Sequence, residues 1–520
     1  MEASAITTFR AVDPCSGATL EPAFADAQPA AVEAAARRAG CAFAAEWTAR
    51  TFSDAALLRA IADGIEASAQ ALRACAQAET GLPEPRLSGE LARTTGQLRA
   101  FADVAERGDL LDPIIDTAVA GATPPKPDQR RANVPIGPVA VFAASNFPFA
   151  FSVAGGDTAA ALAAGCPVVL KAHPAHPRTS DLTAAIVAEA VAAVGAPQAW
   201  FQLLHGSTPA VGQALAQASA IEAIAFTGST GAGTALARAA ALRDRPVPVF
   251  AEMGSANPLL VTPAAAAARG AEIAAGLAAA ITGSAGQLCT KPGLIALVDD
   301  AAGRALVEAL SQRLAAADVL PMLTPRLRDG FAAAATLALG DERVTARVRP
   351  AADARPGAWQ APLLGELRAA ALEPGDVLLE ELFGPGALVL WCADAAELEL
   401  LAGERLPAAL TGTVHGDGED PLVQRLLRQL AARVGRVIVN GYPTGVAVGW
   451  ATVHGGPFPA TSAPATTSVG MTAALRFMRP VGYQSLPDAL LPPALRDANP
   501  LGLVRRVDGV LGAGPVTRAA

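Results

Sequence analysis

The sequence predicts an α/β protein built around a mainly parallel, doubly wound sheet. Long alanine-rich patterns typical of helices fill residues 30–110. Beyond them, short runs rich in apolar and β-branched residues each lead into a loop. Helical stretches separate these runs, as a doubly wound sheet requires. The predicted strands lie within residues 134–144, 165–173, 221–229, 245–254, 386–392 and 433–441.

The composition indicates how many domains to expect and which kinds of partner are not expected. With 520 residues, 52% of them apolar, it is too long for one core, and two or more domains are expected. The net charge of −8 comes without a basic block, so neither nucleic acid nor an anionic membrane is an expected partner. Two long apolar stretches, 147–170 and 263–281, contain charged residues, and the first also contains glycine and proline. We interpret them as buried elements of a soluble core.

Cysteine usage and the N-terminal stretch bear on location. The six cysteines are scattered over the chain without a CxxC pair. This pattern fits a reducing compartment and predicts neither a disulfide framework nor a metal site. The first residues lack the basic and apolar regions of a secretory signal. We therefore expect a cytoplasmic protein.

Polar residues directly after the predicted strands are the first candidates for a site, because ligands in open α/β sheets bind beyond the carboxyl ends of the strands. Asn146, in SNFPF, either caps a helix and orders its loop or donates its amide to a developing oxyanion. Lys171 ends an apolar strand. It is either solvated or bound to the ribose or phosphate of a nucleotide.

A glycine-rich turn, FTGSTGAG at 226–233, follows a further predicted strand. Its glycines, Gly228, Gly231 and Gly233, have the spacing G-x-x-G-x-G in place of the usual G-x-G-x-x-G of dinucleotide sites. With Ser229, the turn either presents backbone N–H groups to a pyrophosphate at a helix N-terminus or only packs a helix on the sheet.

A carboxylate and a thiol flank one predicted helix. Glu252 ends a strand among apolar and small residues, where burial is expected to raise its pKa and suit it to general base catalysis. The alternative is a salt bridge to an arginine. Cys289 lies in the loop GSAGQLCTKPG, either as an accessible nucleophile or as an inert thiol. A helix from Pro263 to Thr282 would span about 30 Å and return the chain to the same edge of a sheet, so both groups could face one cleft.

Six motifs occur in the order and approximate spacing of the aldehyde dehydrogenase superfamily, and the resemblance covers nearly the whole chain. They are SNFP with Asn146, the strand end at Lys171, FTGSTGAG, EMGSANP with Glu252, GQLCTKPG with Cys289, and LEELFGP with Glu381 and Phe383. VNGYPTGVAV and VHGGPFPATSAPATTSVG further resemble the branch that oxidises 2-oxoglutarate semialdehyde (2,5-dioxopentanoate). An NADP-dependent fatty aldehyde dehydrogenase of the same branch is the alternative.

The resemblance implies oxidation of an aldehyde to a carboxylic acid through a cysteine thioester, with NAD(P) as the acceptor. Cys289 would attack the aldehyde, the Asn146 amide and the Cys289 backbone N–H would bind the oxyanion, and Glu252 would activate water. The implied cofactor-binding residues are Lys171, His173, Gly228, Ser229, Gly233, Glu381 and Phe383.

Cofactor choice is expected to depend on the residues after Lys171. NAD-preferring relatives commonly carry a glutamate three residues after this lysine, where it accepts from the 2′-hydroxyl and repels a 2′-phosphate. This chain has His173 and Pro174 there. We therefore expect NADP as the cofactor, with NAD as a second candidate.

The resemblance also implies a domain division. Residues 1–118 and 137–251, with part of 447–480, would form a Rossmann-like dinucleotide-binding domain, and residues 252–446 an α/β catalytic domain. The segments 119–136 and 481–520 would form a β-arm for oligomerisation, so a homodimer or homotetramer is expected.

Three rival hypotheses use the same residues differently. A coenzyme A-dependent acylating enzyme would not need Glu252 to activate water. A catalytically inactive relative would have no need of Asn146, Glu252 and Cys289 together. A cysteine hydrolase would need a base beside its thiol, and the sequence places every histidine in another motif. These histidines are His173, His176, His205, His415 and His454.

Overall fold

The computed structural model describes residues 7–119, 121–350 and 353–516. The parts of the predicted domains at 1–6, 120, 351–352 and 517–520 lie outside the described residues. The α-helices are α1 (Pro29–Thr48), α2 (Asp54–Ala67), α3 (Ala69–Thr80), α4 (Glu84–Arg107), α5 (Gly156–Ala163), α6 (Pro177–Ala193), α7 (Pro209–Gln217), α8 (Thr230–Ala241), α9 (Pro263–Thr282), α10 (Ala301–Ala315), α11 (Pro325–Gly340), α12 (Ala395–Leu400) and α13 (Pro421–Ala431).

The strands alternate with these helices over most of the chain, which confirms the predicted α/β class. They are β1 (Thr8–Phe9), β2 (Phe24–Ala25), β3 (Ile114–Asp116), β4 (Gln129–Pro135), β5 (Val139–Phe142), β6 (Val168–Lys171), β7 (Phe201–Leu204), β8 (Ala223–Thr227), β9 (Val249–Glu252), β10 (Pro258–Val261), β11 (Leu294–Val298), β12 (Leu320–Pro321), β13 (Thr345–Val348), β14 (Trp359–Gln360), β15 (Leu363–Arg368), β16 (Gly386–Cys392), β17 (Ala409–His415), β18 (Val434–Val439), β19 (Met478–Gln484), β20 (Arg505–Val507) and β21 (Val510–Gly512).

A five-stranded parallel sheet has the order β7-β6-β5-β8-β9. The chain runs outward from β5 through β6 and β7, then returns to the other side of β5 as β8 and β9. The direction of winding therefore reverses between β5 and β8. At such a switch point the loops beyond the carboxyl ends of the strands diverge and leave a crevice for a ligand. Side chains of β5 are buried along the whole strand, as expected where helices cover both faces of a sheet.

A second sheet has seven strands in the order β13-β15-β16-β11-β10-β17-β18. Its strands are parallel except for β13, which pairs antiparallel with β15 at one edge. Helix α9 packs its buried residues against this sheet, among them Ile273 and Leu277. By length and composition alone, Pro263–Gly286 could cross a membrane, with 44% of its most apolar window buried. Its packing on the sheet supports the interpretation as a core helix.

The helices nearest the crevice begin at side-chain caps that follow strands. Ser229 accepts a hydrogen bond from the Ala232 N–H at the start of α8, at 3.3 Å. Thr262 accepts one from the Ala265 N–H at the start of α9, also at 3.3 Å. Such caps satisfy amide groups that have no partner within the helix, so each helix starts at a defined residue beyond its strand.

A third sheet has the order β19-β4-β3-β20-β21. Strand β4 comes from the predicted segment 119–136, and most of β19, with β20 and β21, comes from 481–520. β19 and β4 pair antiparallel over their full lengths, from Met478 opposite Pro135 to Gln484 opposite Gln129. The two segments that the sequence assigns to oligomerisation therefore belong to one sheet.

Arg130, on β4, is a buried cation that several acceptors surround beside this third sheet. Its guanidinium lies 2.8 Å from Asp128 and 2.7 Å from Asp497, and it donates to the Leu495 carbonyl at 2.6 Å. The side chain is buried, whereas that of Arg131, its neighbour in sequence, is 42% exposed beside Asp112.

We expect Arg130→Met to lower the apparent free energy of unfolding by about 3 kcal/mol, because it leaves two carboxylates close together without their cation. The matched Arg131→Met variant should cost less than about 1 kcal/mol, as is usual for an exposed pair. Urea unfolding followed by circular dichroism measures both. Equal effects of the two substitutions would contradict a central role for the buried ion.

Candidate active site

A cavity of about 620 Å³ lies beyond the carboxyl ends of β5, β6 and β8. It occupies the crevice at the switch point, where the topology predicts a ligand. Of the residues singled out in the sequence, those lining it are Asn146, Lys171, His173, Gly228, Ser229, Glu252, Cys289, Glu381 and Phe383.

Gly233 is placed differently from the other predicted cofactor residues, within α8 and away from the described cavity lining. A Cβ atom there would lie 2.7 Å from the Met253 sulfur and 3.3 Å from the Ala251 side chain. Gly233 therefore allows α8 to pack closely against β9. It supports the turn by packing and does not face the space that a ligand would fill.

Cys289 follows α9 in a loop with unusual backbone geometry. Ser284, Ala285 and Gly286 are all left-handed, with φ of 52°, 52° and 69°. For the two residues with a side chain this costs roughly 1–2 kcal/mol each. A Cβ at Gly286 would lie 2.1 Å from the Gly384 carbonyl oxygen. Only glycine therefore lets this loop contact the segment that carries Glu381 and Phe383.

Two asparagine side chains hold the cysteine loop in place. Asn257 donates from Nδ2 to the carbonyls of Cys289 at 2.8 Å and Lys291 at 3.0 Å. Asn146 donates from Nδ2 to the Gln287 carbonyl at 3.0 Å. An amide nitrogen carries two hydrogens, so Asn146 retains one donor, and it lines the same cavity as Cys289. A spare amide donor of this kind suits an oxyanion.

Glu252 ends β9 and is buried, with two side-chain donors on its carboxylate. His454 Nε2 lies 2.9 Å from Oε1, and the Ser468 hydroxyl donates to Oε2 at 2.6 Å. Ser468 also bonds the His454 carbonyl through its backbone N–H, at 2.8 Å. The segment 454–468 runs beside β9, where Met253 N donates to the Ala460 carbonyl at 2.8 Å. This backbone hydrogen bond helps to place the His454 and Ser468 side chains beside the carboxylate.

The pKa of Glu252 differs from the sequence-based expectation. Burial alone raises the pKa of this carboxyl group, as predicted, but the interactions with His454 and the hydrogen bond from Ser468 outweigh burial, and the net pKa is lowered. The expected raised pKa was wrong because the sequence does not reveal these donors. Glu252 is therefore an ionised proton acceptor at neutral pH.

The Cys289 thiol has the opposite shift. Burial raises its pKa well above the ordinary value, and the charges of Glu252 and Glu381 raise it further, while Arg93 acts against them. The resting sulfur is thus protonated at neutral pH and needs a base close by before it can attack a carbonyl. Such a base is in reach, because a carboxylate oxygen of the ionised Glu252 lies within 4.8 Å of Sγ and accepts a hydrogen bond from the thiol.

His454 is the functional candidate that sequence reasoning missed. It belongs to the VHGGPFPATS motif, 165 positions along the chain from Cys289, yet its buried ring contacts both the thiol and Glu252. With Nε2–H donating to Glu252, Nδ1 is buried without a partner among the described residues. The resemblance of this motif to the family is the signal in the sequence that points to the residue.

The same three side chains could in principle hold a metal. One ligand atom each from Glu252, Cys289 and His454 lie within 4.8 Å of one another. The three groups are also a nucleophile, a carboxylate base and its hydrogen-bond donor in contact with one another, so the same arrangement suits covalent chemistry.

The far end of the cavity is suited to phosphate and ribose. Burial lowers the pKa of Lys171 to about 8, against the opposing charge of Asp26. Burial also lowers the pKa of His173 well below its usual value, helped by His176, Lys171 and Arg326. Its Nδ1 accepts from the Ala175 N–H at 3.1 Å, which leaves Nε2 as the donor of a neutral ring. Arg10 and Arg326 also line this cavity.

The Gly254 backbone and Glu381 complete the part of the cavity that is suited to a nucleotide. A Cβ at Gly254 would lie 2.6 Å from Glu381 Oε2, so backbone and carboxylate are in close contact. Burial raises the pKa of Glu381 to about 7, while Lys291 opposes the rise. Together with the capped start of α8 at Ser229, these groups fit a dinucleotide, because they offer backbone amides and cations to phosphates and a carboxylate to ribose hydroxyls.

We expect Glu252→Gln to lower the pKa of the Cys289 thiol, because the substitution removes the nearest negative charge and its hydrogen bond. Alkylation by iodoacetamide rises with pH as the thiolate forms, so the variant should be alkylated faster than the wild type at neutral pH. Mass spectrometry of the Cys289 peptide across a pH series measures the shift. An unchanged or upward-shifted profile would contradict the electrostatic coupling.

The chain is similar to known proteins over most of its length. Residues 1–456 match the aldehyde dehydrogenase family. The chain is 46% identical over 509 residues to alpha-ketoglutaric semialdehyde dehydrogenase 2 of Azospirillum brasilense, covering 96% of each chain. It is 43% identical over 453 residues to alpha-ketoglutaric semialdehyde dehydrogenase of Acinetobacter baylyi, covering 87% of this chain and 86% of the relative. The expected fatty aldehyde alternative is not favoured by these matches.

Solved structures show the same fold at lower identity. A variant of Thermus thermophilus 1-pyrroline-5-carboxylate dehydrogenase matches with a TM-score of 0.79 and 22% identity, over 92% of this chain and 90% of that chain. PnpE in complex with nicotinamide adenine dinucleotide matches with a TM-score of 0.77 and 23% identity, over 92% of this chain and 94% of that chain. Since the family match and two close relatives each span most of the sequence, the chain belongs to the aldehyde dehydrogenase family, and it is an NAD(P)-dependent oxidoreductase that acts on aldehydes.

Proposed function

We propose that the protein oxidises 2-oxoglutarate semialdehyde (2,5-dioxopentanoate) to 2-oxoglutarate, with Cys289 as nucleophile and NADP as the preferred acceptor. One observation carries the chemical part of the proposal: the Cys289 thiol lies between the Asn146 amide and the paired Glu252 and His454, at one end of a dinucleotide-sized cavity. The substrate is inferred from the alpha-ketoglutaric semialdehyde dehydrogenases that share 46% and 43% identity with the chain.

Activation of the thiol follows from the geometry of the cluster. As the sulfur attacks the aldehyde carbon, its proton passes to the ionised Glu252 carboxylate, which interacts directly with the thiol and is held in place by the N–H of His454 Nε2, 2.9 Å away. The electron pair of the carbonyl bond moves to oxygen. The remaining N–H of Asn146 and the backbone N–H of Cys289 then stabilise the oxyanion of the hemithioacetal. The high pKa of the resting thiol keeps the nucleophile protonated until a carbonyl arrives.

Lys171, Ser229, Gly228, Glu381 and Phe383 would hold the cofactor, with Lys171 and Glu381 at the ribose groups. When bound, NAD(P) supplies the hydride acceptor that turns the hemithioacetal into a thioester on Cys289. Once Glu252 has passed the thiol proton to solvent, it takes a proton from water and the resulting hydroxide attacks the thioester carbon. The carbon–sulfur bond then breaks, the Cys289 sulfur takes the proton back from Glu252, and the acid is released. The donors His454 and Ser468 keep Glu252 ionised for this step.

The preference for NADP is supported by the charges around His173. Near this residue the cavity lining carries the cations Lys171 and Arg326, while its carboxylates, Glu252 and Glu381, lie at the thiol end. Pro174 stands where a carboxylate would repel a 2′-phosphate. A phosphate on the adenosine ribose would therefore meet positive charge and backbone donors.

We further propose that the protein is cytoplasmic and assembles as a homodimer or homotetramer; open sheet edges support the assembly. Strand β18 is an edge of the seven-stranded sheet and exposes Val437 and Val439. Strand β21 is an edge of the third sheet and exposes Val510 and Leu511. Exposed apolar edge strands are sites where another chain can pair, so covering them in an assembly would remove an aggregation hazard.

We expect the purified protein to have a much higher kcat/KM for 2-oxoglutarate semialdehyde than for a long-chain aldehyde, measured by the absorbance of reduced cofactor. Cys289→Ala should reduce turnover to background. His454→Leu should lower kcat about 100-fold, because it removes a donor that keeps the Glu252 base ionised. Preference for the long-chain aldehyde would overturn the proposed substrate, and an unaltered kcat in His454→Leu would remove His454 from the mechanism.

We expect Arg326→Ala to raise KM for NADP about 10-fold, as loss of one charged hydrogen bond would, and to leave KM for NAD within about twofold. Arg328→Ala is the matched control, because Arg328 lies on the same helix and donates to the Gly357 carbonyl. Steady-state kinetics with both cofactors measures the difference. A large NAD preference in the wild type would refute the cofactor proposal.

A further inference from the structure

Helix α4 presents two arginines, Arg86 and Arg93, to the segment that follows Asn146. They are about two helical turns apart and therefore lie on the same face. The Arg86 guanidinium carbon lies 4.5 Å from the Phe147 ring centroid, and that of Arg93 lies 5.2 Å from the Phe151 ring centroid. The two rings contact each other edge to face, with centroids 5.1 Å apart.

The helix is tied firmly to this segment. Glu90 Oε1 accepts hydrogen bonds from the backbone N–H groups of Phe149 and Ala150, each at 2.8 Å. Glu90 is buried, and its second oxygen accepts from Arg86 at 2.6 Å. The positions of both arginines relative to Asn146 are thus set by hydrogen bonds from α4 to the segment, which is what a binding subsite needs.

The two arginines differ in how their charges are compensated. Arg86 has Glu90 as its ion-pair partner. Arg93 forms no ion pair with a carboxylate of the described residues, and its Nη1 is buried without a hydrogen-bond partner among them. Burying an unpartnered cationic nitrogen is costly, so a protein retains one mainly where a ligand completes it. The side chain as a whole keeps intermediate exposure and remains accessible.

Arg93 lies close to the reacting groups without lining the cofactor cavity. Its positive charge counteracts the rise in the pKa of Cys289. Burial lowers the pKa of Arg93, and the charges of Glu90, Cys289 and Glu252 act against this shift. The described lining of the cofactor cavity contains Asn146 and Cys289 but not Arg93, Phe147 or Phe151. Arg93 therefore approaches the thiol from the α4 side, where the rest of an aldehyde must lie if its carbonyl faces both sulfur and cofactor.

We infer that Arg93 binds the carboxylate of an oxo-acid or carboxylated aldehyde substrate. Phe147 and Phe151 would contact the apolar part of that substrate. The inference rests on the proposed function for the identity of the natural substrate. The guanidinium has a donor geometry that matches a carboxylate, and the buried Nη1 is free to donate. The substrate would thus be held by its charged end at Arg93 and by its carbonyl at Cys289 and Asn146.

The test measures kcat/KM for three short aldehydes: 2-oxoglutarate semialdehyde, glutarate semialdehyde and uncharged pentanal. The wild type is compared with Arg93→Met, Arg93→Lys and Arg99→Gln. Arg99 is the matched control, because it lies on the same helix and pairs with Asp63 and Glu66 on the protein surface. We expect Arg93→Met to lose about 100-fold on both carboxylated substrates, mainly through KM, and to keep its rate on pentanal within about threefold.

Arg93→Lys keeps the charge without the planar fork, and we expect a loss of about 10-fold on the carboxylated substrates only. This variant decides the matter if Arg93→Met does not fold. Equal losses on all three aldehydes would mean that Arg93 only supports the fold, and no loss on any would also overturn the inference. A wild type that favours glutarate semialdehyde over the oxo acid, with the arginine effect intact, would refute the proposed substrate and leave the Arg93 subsite standing. A wild type that favours pentanal over both would overturn both.

Discussion

The buried carboxylate of Glu252 at the end of β9 is stable only with hydrogen-bond donors around it, because an isolated charge in the interior is strongly unfavourable. His454 and Ser468 provide these donors. Both belong to a segment that reaches the site by running beside β9. The state of the Cys289 thiol depends on the same contact, since Glu252 raises the pKa of that thiol and is the carboxylate that accepts its hydrogen bond. One set of hydrogen bonds thus couples the folding of the C-terminal part to the chemistry.

Opposite charges lie at the two ends of the cavity, and they indicate which chemistry each end can support. Carboxylates lie near the thiol, where protons must move, and cations lie around His173, where phosphate oxygens would bind. The switch point of the five-stranded sheet makes the crevice, and the capped start of α8 supplies backbone donors within it. The loop after α9 brings the thiol to this crevice from the other sheet. Each sheet therefore contributes a part of the site that neither holds alone.

The cysteine loop illustrates how the site is kept rigid. Its successive left-handed residues are unfavourable by themselves, and they persist because Asn257 and Asn146 bond the loop carbonyls and because Gly286 packs against Gly384. Local strain of this kind is common at active sites, where surrounding contacts over-determine the backbone. On the α4 side, Glu90 orders the segment after Asn146 and compensates the charge of Arg86. Arg93 has no carboxylate partner among the described residues.

The sequence by itself determined the α/β class, the position of most strands and, through the family resemblance, the candidates Asn146, Glu252 and Cys289. The class and the strands follow from local rules, and ligands bind beyond the carboxyl ends of such strands. The length of α9 does not explain how Glu252 and Cys289 meet, because α9 packs on the seven-stranded sheet and Glu252 belongs to the five-stranded one. Only the tertiary structure decided the direction of the Glu252 pKa shift and the parts that His454 and Arg93 can take. Burial can be read from neighbouring apolar residues, but the donors that reverse its effect lie more than 200 positions away along the chain, and no periodicity encodes that contact.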